Sequence, residues 1–191
     1  MKTMRLAFLA LLFTTALILS GSDDVYSGAN KKVEQIVNDE APKGSTIQLT
    51  TVEVNALLLG KLREEGIEGD GVKDAKIVLG EDTGDWSGIV DFGQLPQLEK
   101  YKNNFLLGSL LKEAKPVNAS MKLTSAGGQA TLDVTQVTIG ESKFEGNTLG
   151  FLVKQLVLSD FPGAELGVPF DLEHGVESIK LRSVGITIKM R

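Results

Sequence analysis

Alternating apolar and polar residues predict strands along much of the chain. The predicted strands cover residues 47–49, 75–79, 86–92, 117–123, 130–139, 179–181 and 184–190. Residues that alternate in this way point to opposite faces of a sheet, so each strand has one apolar face. The clearest hairpin spans residues 117–139, with its turn at Gly127 and Gly128. Its alternation slips at Thr135 and Gln136, which predicts a β-bulge in the second strand.

Apolar residues at helical spacing predict helices between these strands. The predicted helices lie at about residues 29–39, 51–65, 95–112 and 147–160. Thr50 and Glu53 match a capping box, in which each side chain bonds to the other residue's backbone at a helix start. The last three helices are apolar over more than one face. Either each is sandwiched between sheet and neighbour, or sheet and helices enclose an apolar cavity.

The first 22 residues have the layout of a secretory signal peptide. Lys2 and Arg5 precede an apolar run from Leu6 to Leu19, and Ser20 and Ser22 fit the small positions of a cleavage site. The alternative is an uncleaved anchor, but the run is 14 residues long, whereas a spanning helix needs about 20. We therefore predict that residues 1–22 are removed, and that residues 23–191 form one exported domain in the periplasm or bacterial cell envelope.

Composition narrows the possible partners. Loss of the two basic residues in the leader changes the net charge from −5 to −7. Binding to nucleic acid depends on clustered Lys and Arg, so an acidic chain does not favour that partner. The chain has no cysteine, so an exported fold must be held by packing without disulfides.

Few residues are candidates for chemistry. His174 is the single histidine and stands in a predicted turn. With one His and no Cys, ordinary zinc and copper sites lack ligands, and the acidic turns near residues 68–74 and 81–85 lack the spacing of a calcium loop. Ser109 and Lys112 form Ser-x-x-Lys without its companion motifs. We predict a non-catalytic protein without metal or cofactor; an unrecognised hydrolase is the weakest alternative.

A basic stripe is predicted on the polar side of the last two strands. Its members are Lys180, Arg182, Lys189 and Arg191. On an acidic protein the stripe could make a peripheral membrane contact with anionic lipid headgroups. Basic residues also protect sheet edges from aggregation, and both explanations remain open.

One segment resembles a known family. Residues 47–62, IQLTTVEVNALLLGKL, are similar to the opening signature I-x-L-T-x-x-E-L-N-A-L-L of exported LmeA-like phospholipid-binding proteins. The segments VDF at 90–92 and VPFDLEHGVESI at 168–179 are also similar, so the resemblance covers most of residues 45–190. It implies a TULIP-like half-barrel, in which a strongly bent antiparallel sheet wraps around helices and leaves an apolar tunnel for acyl chains. No motif specifies a headgroup.

The sequence thus predicts an α+β domain, a bent antiparallel sheet on three or four helices, that binds phospholipid or another apolar ligand. The residues predicted to form the apolar wall are Leu58, Leu62, Trp86, Phe105, Leu110, Met121, Leu132, Leu152 and Leu156. The alternative is an envelope scaffold or adaptor with a fully packed core. Its protein partner would add to an exposed strand edge, for which Val184–Met190 is the candidate.

Overall fold

The computed structural model describes residues 22–69, 71–94, 113–146, 149–150 and 167–191. The α-helices are α1 (Ser22–Val37) and α2 (Thr51–Glu64), and a short 3-10 helix covers Phe92–Gln94. The strands are β1 (Thr46–Thr50), β2 (Val72–Leu79), β3 (Thr83–Val90), β4 (Lys115–Ala126), β5 (Gln129–Ile139), β6 (Ser142–Phe144), β7 (Phe170–Asp171), β8 (Val176–Arg182) and β9 (Gly185–Met190). The predicted α+β class is confirmed. Residues 1–21 of the predicted leader, the predicted helix at 95–112 and most of that at 147–160 lie outside the described residues.

The strands form two antiparallel sheets. The small sheet has the order β1-β9-β8, and the large sheet has the order β2-β3-β4-β5-β6, with β7 pairing to the other end of β5. The sheets meet where β8 passes the β4–β5 hairpin, since the Gly128 amide donates to the Glu177 carbonyl at 2.7 Å. The antiparallel surface is therefore divided at β8, where the sequence predicted one bent sheet.

The start of α2 is set by local chemistry. The Glu53 amide donates to Thr50 Oγ1 at 3.2 Å, and the Thr50 amide donates to Glu53 Oε2 at 2.8 Å. These two bonds satisfy backbone donors that a helix start otherwise leaves free. The predicted capping box is confirmed, and it fixes the direct transition from β1 into α2.

The predicted bulge in β5 is also confirmed. Ser120 of β4 is paired with Gln136, but the next residue, Met121, is paired with Val134. Thr135 is therefore the extra residue, and its hydroxyl donates to the Ser120 carbonyl at 3.2 Å. Because the bulge restores the phase of the strand, apolar residues on both sides of it share one face of the sheet.

The main core lies between the two helices, the small sheet and one end of the large sheet. Its most completely buried large side chains are Ile36, Leu49, Val54 and Val176. These come from α1, β1, α2 and β8, so the main core joins elements from both ends of the chain.

Close packing of α1 on α2 depends on one glycine. The Tyr26 ring lies where a side chain on Gly60 would stand, so only glycine permits this approach. The Tyr26 hydroxyl donates to Glu64 Oε1 at 2.6 Å. Burial raises the pKa of the Tyr26 phenol, and its hydrogen bond to Glu64 raises it further.

Side chains cap the backbone at strand edges of both sheets. Asn55 of α2 donates to the Ile77 carbonyl and accepts from the Ile77 amide, both at 2.8 Å, at the outer edge of β2. Ser125 makes the same pair of bonds with Ile179 on β8, at 2.7 and 2.6 Å. Such bonds occupy groups that an added strand would need.

The strand proposed as an open edge is not one. Strand β9, which contains most of Val184–Met190, pairs with β1 on one side and β8 on the other. The prediction of a free edge there is wrong, because strict alternation reports which faces are wet but not which edges are paired.

Candidate functional site

The apolar face of the large sheet is the candidate site, and it is built from paired residues on β4 and β5. The pairs that share this face are Val117 with Ile139, Ala119 with Val137, Met121 with Val134, and Leu123 with Leu132. Without the extra Thr135, Val137 and Ile139 would point to the opposite, polar face. The bulge therefore makes the apolar face continuous along the hairpin.

Both ends of this face are packed. At one end Leu123 packs against the main core. At the other end a second cluster is formed by Val90, Phe92, Val117 and Ile139, with Trp86, Val137 and Phe144 packed against it. Trp86 also packs against the main core, so its ring contacts both clusters.

Between the clusters lies a set of apolar residues that we call the central strip. It consists of Ala119, Met121, Leu132 and Val134, which are all half-buried. Among the residues that the structure describes, these four belong to neither packed cluster. The central strip is thus a ligand-sized apolar surface on a rigid sheet, flanked by packed residues on both sides.

Strand β3 shapes the border of the central strip through a Gly-x-Trp-x-Gly pattern. Gly84 lies opposite Met121, Trp86 opposite Ala119, and Gly88 opposite Val117. The Trp86 ring lies over Gly88, where an added Cβ would stand 3.0 Å from the ring. A Cβ on Gly84 would stand 3.4 Å from Met121 Cγ. The two glycines therefore leave the space into which the Trp86 and Met121 side chains extend.

The chemistry of this face is apolar. The polar side chains that alternate with the strip residues lie on the other side of the sheet, where the Ser120 hydroxyl donates to Asp85 Oδ1 at 2.6 Å. The four residues of the central strip carry no titratable group. Such a surface can bind hydrocarbon by excluding water, and it supplies no nucleophile, acid or base.

The structure separates the predicted wall residues into groups. Met121 and Leu132 lie in the central strip, and Trp86 lies at its border. Leu58 is buried in the main core and Leu62 packs against it, so both belong to α2 packing instead of the strip. The other four, which are Phe105, Leu110, Leu152 and Leu156, lie outside the described residues.

Ala119 and Val134 were missed as site residues. The signal that identifies them is present in the sequence, because correcting the alternation for the Thr135 bulge places Val134 on the same face as Met121. The half-buried state of Ala119 has no such local signal, since it depends on which elements cover the sheet.

The four residues of the predicted basic stripe differ in their surroundings. Lys189 pairs with Glu177 at 2.9 Å, and Arg191 Nη2 donates to the Leu172 carbonyl at 3.0 Å. Lys180 and Arg182 are exposed, and within the described ranges neither forms an ion pair. Arg191 thus ties the chain end to the β7–β8 connection, and Lys180 and Arg182 are the two charges available to a partner.

His174 occupies a turn, as predicted, and joins two distant segments. Its Nδ1 lies 3.3 Å from Asp39 Oδ1, just past the end of α1, and both residues have positive φ. Ser109, the other candidate for chemistry, lies outside the described residues. In the part of the chain that the structure describes, no three His, Asp or Glu side chains are grouped as metal ligands.

A cleft of about 320 Å³ opens beside the loop that follows α2. It is lined by Leu59, Glu68, Gly69, Val72, Lys73, Asp74 and Ala75. None of the nine predicted wall residues contributes to this cleft, and three of its seven lining residues are charged. It does not have the apolar lining that the predicted acyl-chain site requires.

Comparison of the chain with protein-family models, curated proteins and solved structures finds no match. Neither helix of the described part of the chain combines the length and apolar character needed to cross a membrane.

Proposed function

We propose that the protein binds phospholipid or another acyl-chain ligand without catalysis, in the bacterial cell envelope. The observation that carries the proposal is the central strip, in which Met121, Leu132 and Val134 stay half-buried between two packed clusters. The described elements leave these side chains less covered than Leu49 and Ile188, which are 1% and 3% exposed in the main core. An acyl chain lying along the strip would complete the packing.

The dimensions and energetics favour a long flexible chain. The apolar face of β4 from Val117 to Leu123 extends over roughly 20 Å, at about 3.4 Å per residue in an antiparallel strand. Each methylene that leaves water contributes about 0.8 kcal/mol. Several methylenes against Met121 and Val134 therefore bind without any specific polar contact.

Export and family membership are parts of the same proposal. The leader-like segment 1–22 would deliver the domain to the envelope. The resemblance of residues 47–62 to LmeA-like phospholipid-binding proteins points to the same ligand class, with an acyl chain held against an antiparallel sheet. Residues 47–62 themselves form part of β1, the capping box and most of α2, which pack the core beside the site.

The test is native mass spectrometry of the protein purified from its expressing cells, followed by organic extraction and lipid analysis. The wild-type protein should carry phospholipid at a defined stoichiometry. The double variant Met121→Gln/Val134→Thr keeps nearly the same side-chain volumes but makes the strip polar. It should retain about one tenth of the wild-type amount of lipid, or less. A tenfold loss of affinity corresponds to about 1.4 kcal/mol of binding free energy.

The matched control places the same kind of change on the other face of the sheet. Val78 and Ile89 are exposed, and the double variant Val78→Thr/Ile89→Thr should bind lipid like wild type. A wild-type protein that stays lipid-free after incubation with phospholipid vesicles would overturn the proposal. Equal lipid in the strip variant and wild type would do the same.

A further inference from the structure

Two valines are the most exposed large apolar side chains of the described residues. Val184 is 76% exposed and Val52 is 67% exposed. The alternation of residues 184–190 predicts Val184 on the buried face of the last strand, and that prediction is wrong. Val184 lies with Ser183 in the two-residue turn between β8 and β9, so its side chain projects beyond the sheet.

The two valines lie at the same end of the molecule. The amide of Thr51, the residue before Val52, donates to the Val184 carbonyl at 3.2 Å. The Thr51 hydroxyl also donates to the Ser183 carbonyl at 3.0 Å. We call this junction of the β8–β9 turn with the start of α2 the valine tip.

The valine tip is held rigidly. Gly185 has φ +148° and lies so close to the Leu49 carbonyl that no side chain fits there. The turn is therefore clamped against the β1–α2 junction. A rigid projection loses little conformational entropy on binding, unlike a mobile loop of the same composition.

Basic residues stand next to the valine tip on the outward face of the small sheet. Arg182 is paired with Gly185, and Lys180 is paired with Thr187. The residues of β1 on the same outward face of the small sheet are uncharged. Glu177 of β8 forms an ion pair with Lys189. Lys180 and Arg182 thus place two exposed positive charges on this face of a chain whose formal charge is −5.

Acidic groups border this region on two sides. Glu53, at the start of α2, is bonded to Lys32 at 2.6 Å. Glu81 and Asp82 lie in the β2–β3 turn, at the edge of β8 that faces away from β9, since the Asp82 amide donates to the Leu181 carbonyl at 3.1 Å. That contact and the Ser125–Ile179 bonds use backbone groups at the outer edge of β8. A partner that adds a strand would need the same groups, so this edge disfavours such a partner.

We propose that the valine tip docks the protein on an anionic lipid bilayer. Val52 and Val184 enter the boundary between headgroups and acyl chains, and Lys180 and Arg182 contact the anionic headgroups. Apolar residues beside basic ones are the combination that interfacial membrane binding uses, and each basic residue near an anionic surface strengthens binding roughly fivefold. This inference rests on exposure and charge at the tip and is independent of the central strip.

The test is co-sedimentation of the purified protein with vesicles of phosphatidylcholine alone and of equal parts phosphatidylcholine and phosphatidylglycerol. Wild type should sediment with the anionic vesicles only, and less so as salt is raised, because salt screens exposed charges. Lys180→Gln/Arg182→Gln should weaken binding about twentyfold, from two contributions of about fivefold each. Val52→Ser/Val184→Ser should weaken it at least about tenfold.

Matched controls separate the tip from general effects. Val78→Ser/Ile89→Ser removes exposed apolar side chains elsewhere, and Lys31→Gln/Lys43→Gln removes two exposed basic residues elsewhere. Both should bind within about twofold of wild type, as expected for changes that leave the docking surface intact. Absence of sedimentation, equal binding to neutral vesicles, or unchanged binding by the valine variant would overturn the inference.

The strip variant makes the two proposals distinguishable. Met121→Gln/Val134→Thr should sediment with anionic vesicles like wild type, even though it carries less extracted lipid. A protein that sediments but never retains lipid would overturn the proposed lipid-binding function alone. A protein that retains lipid but does not sediment would overturn membrane docking alone.

Discussion

The small sheet and the hairpin of the large sheet present apolar faces of similar composition, yet they are buried to different extents. On the small sheet Leu49 is 1% exposed and Ile188 is 3% exposed, because α1, α2 and β2 contribute to the same cluster. On the hairpin Met121 and Val134 remain half-buried. Burial of large apolar side chains is therefore more complete around the small sheet than on the hairpin.

The edges of the two regions repeat this contrast. Asn55 and Ser125 close the outer edges of β2 and β8 with two hydrogen bonds each. Both capped positions belong to or pack against the main core. The main core is thus closed at its strand edges as well as packed, whereas the described elements leave the central strip half-buried.

Truncating one apolar side chain to alanine in each region should give the largest difference in the free energy of unfolding. Leu49→Ala leaves a cavity in the main core and should lower the free energy of unfolding by about 2–5 kcal/mol. Met121→Ala should cost less than half as much, because its side chain is already partly hydrated. Urea denaturation of both variants measures the difference, and equal losses would show that the central strip is packed as tightly as the main core.

Alanine substitutions at two helix glycines should change stability in opposite directions. Gly60→Ala forces the Tyr26 ring away from α2 and should cost about 1–3 kcal/mol, the usual range for overpacking. Gly28→Ala in α1 meets nothing within 4 Å and should stabilise by about 0.5–1 kcal/mol through helix propensity. Thermal unfolding followed by circular dichroism measures both. Stabilisation by Gly60→Ala would contradict tight packing of α1 on α2.

The smallest expected effect is a dependence on pH at the start of α2. Burial opposes ionisation of Glu53, but hydrogen bonds from Lys32 and Thr50 outweigh it and hold the pKa of its carboxyl below the usual value. The stabilisation that ionised Glu53 gives the fold is therefore fully present above its unfolded pKa of about 4.3. It is lost as the pH falls through the lower pKa of the folded state. It should amount to less than about 1 kcal/mol, as for most ion pairs near a surface.

The comparison for this effect is Glu53→Gln against Glu145→Gln. Glu145 pairs with Lys143 where both side chains are more than half exposed, so its loss should change stability little. Melting temperatures measured from neutral to acidic pH should converge for wild type and Glu53→Gln at low pH. A constant difference at every pH would mean that ionisation of Glu53 does not stabilise the fold.

Much of the local structure could be predicted from the sequence. The capping box of Thr50 and Glu53, the bulge at Thr135 and the β4–β5 hairpin each depend on residues close together along the chain. Half of the central strip was also among the predicted wall residues, since Met121 and Leu132 alternate with polar neighbours. The sequence could not show whether Leu58 and Leu62 line a cavity or fill a core. Both kinds of helix face have the same spacing of apolar residues.

Local spacing determined the start of α2, the bulge in β5 and the apolar face of the β4–β5 hairpin, because caps, bulges and alternation act over a few residues. Tertiary structure decided that β9 lies between β1 and β8, and that Val184 meets the start of α2 across a separation of more than a hundred residues. It also decided that α1 and α2 pack on the small sheet, while the central strip is half-buried. These outcomes depend on which distant segments pair and pack, and periodicity within a segment carries no information about that.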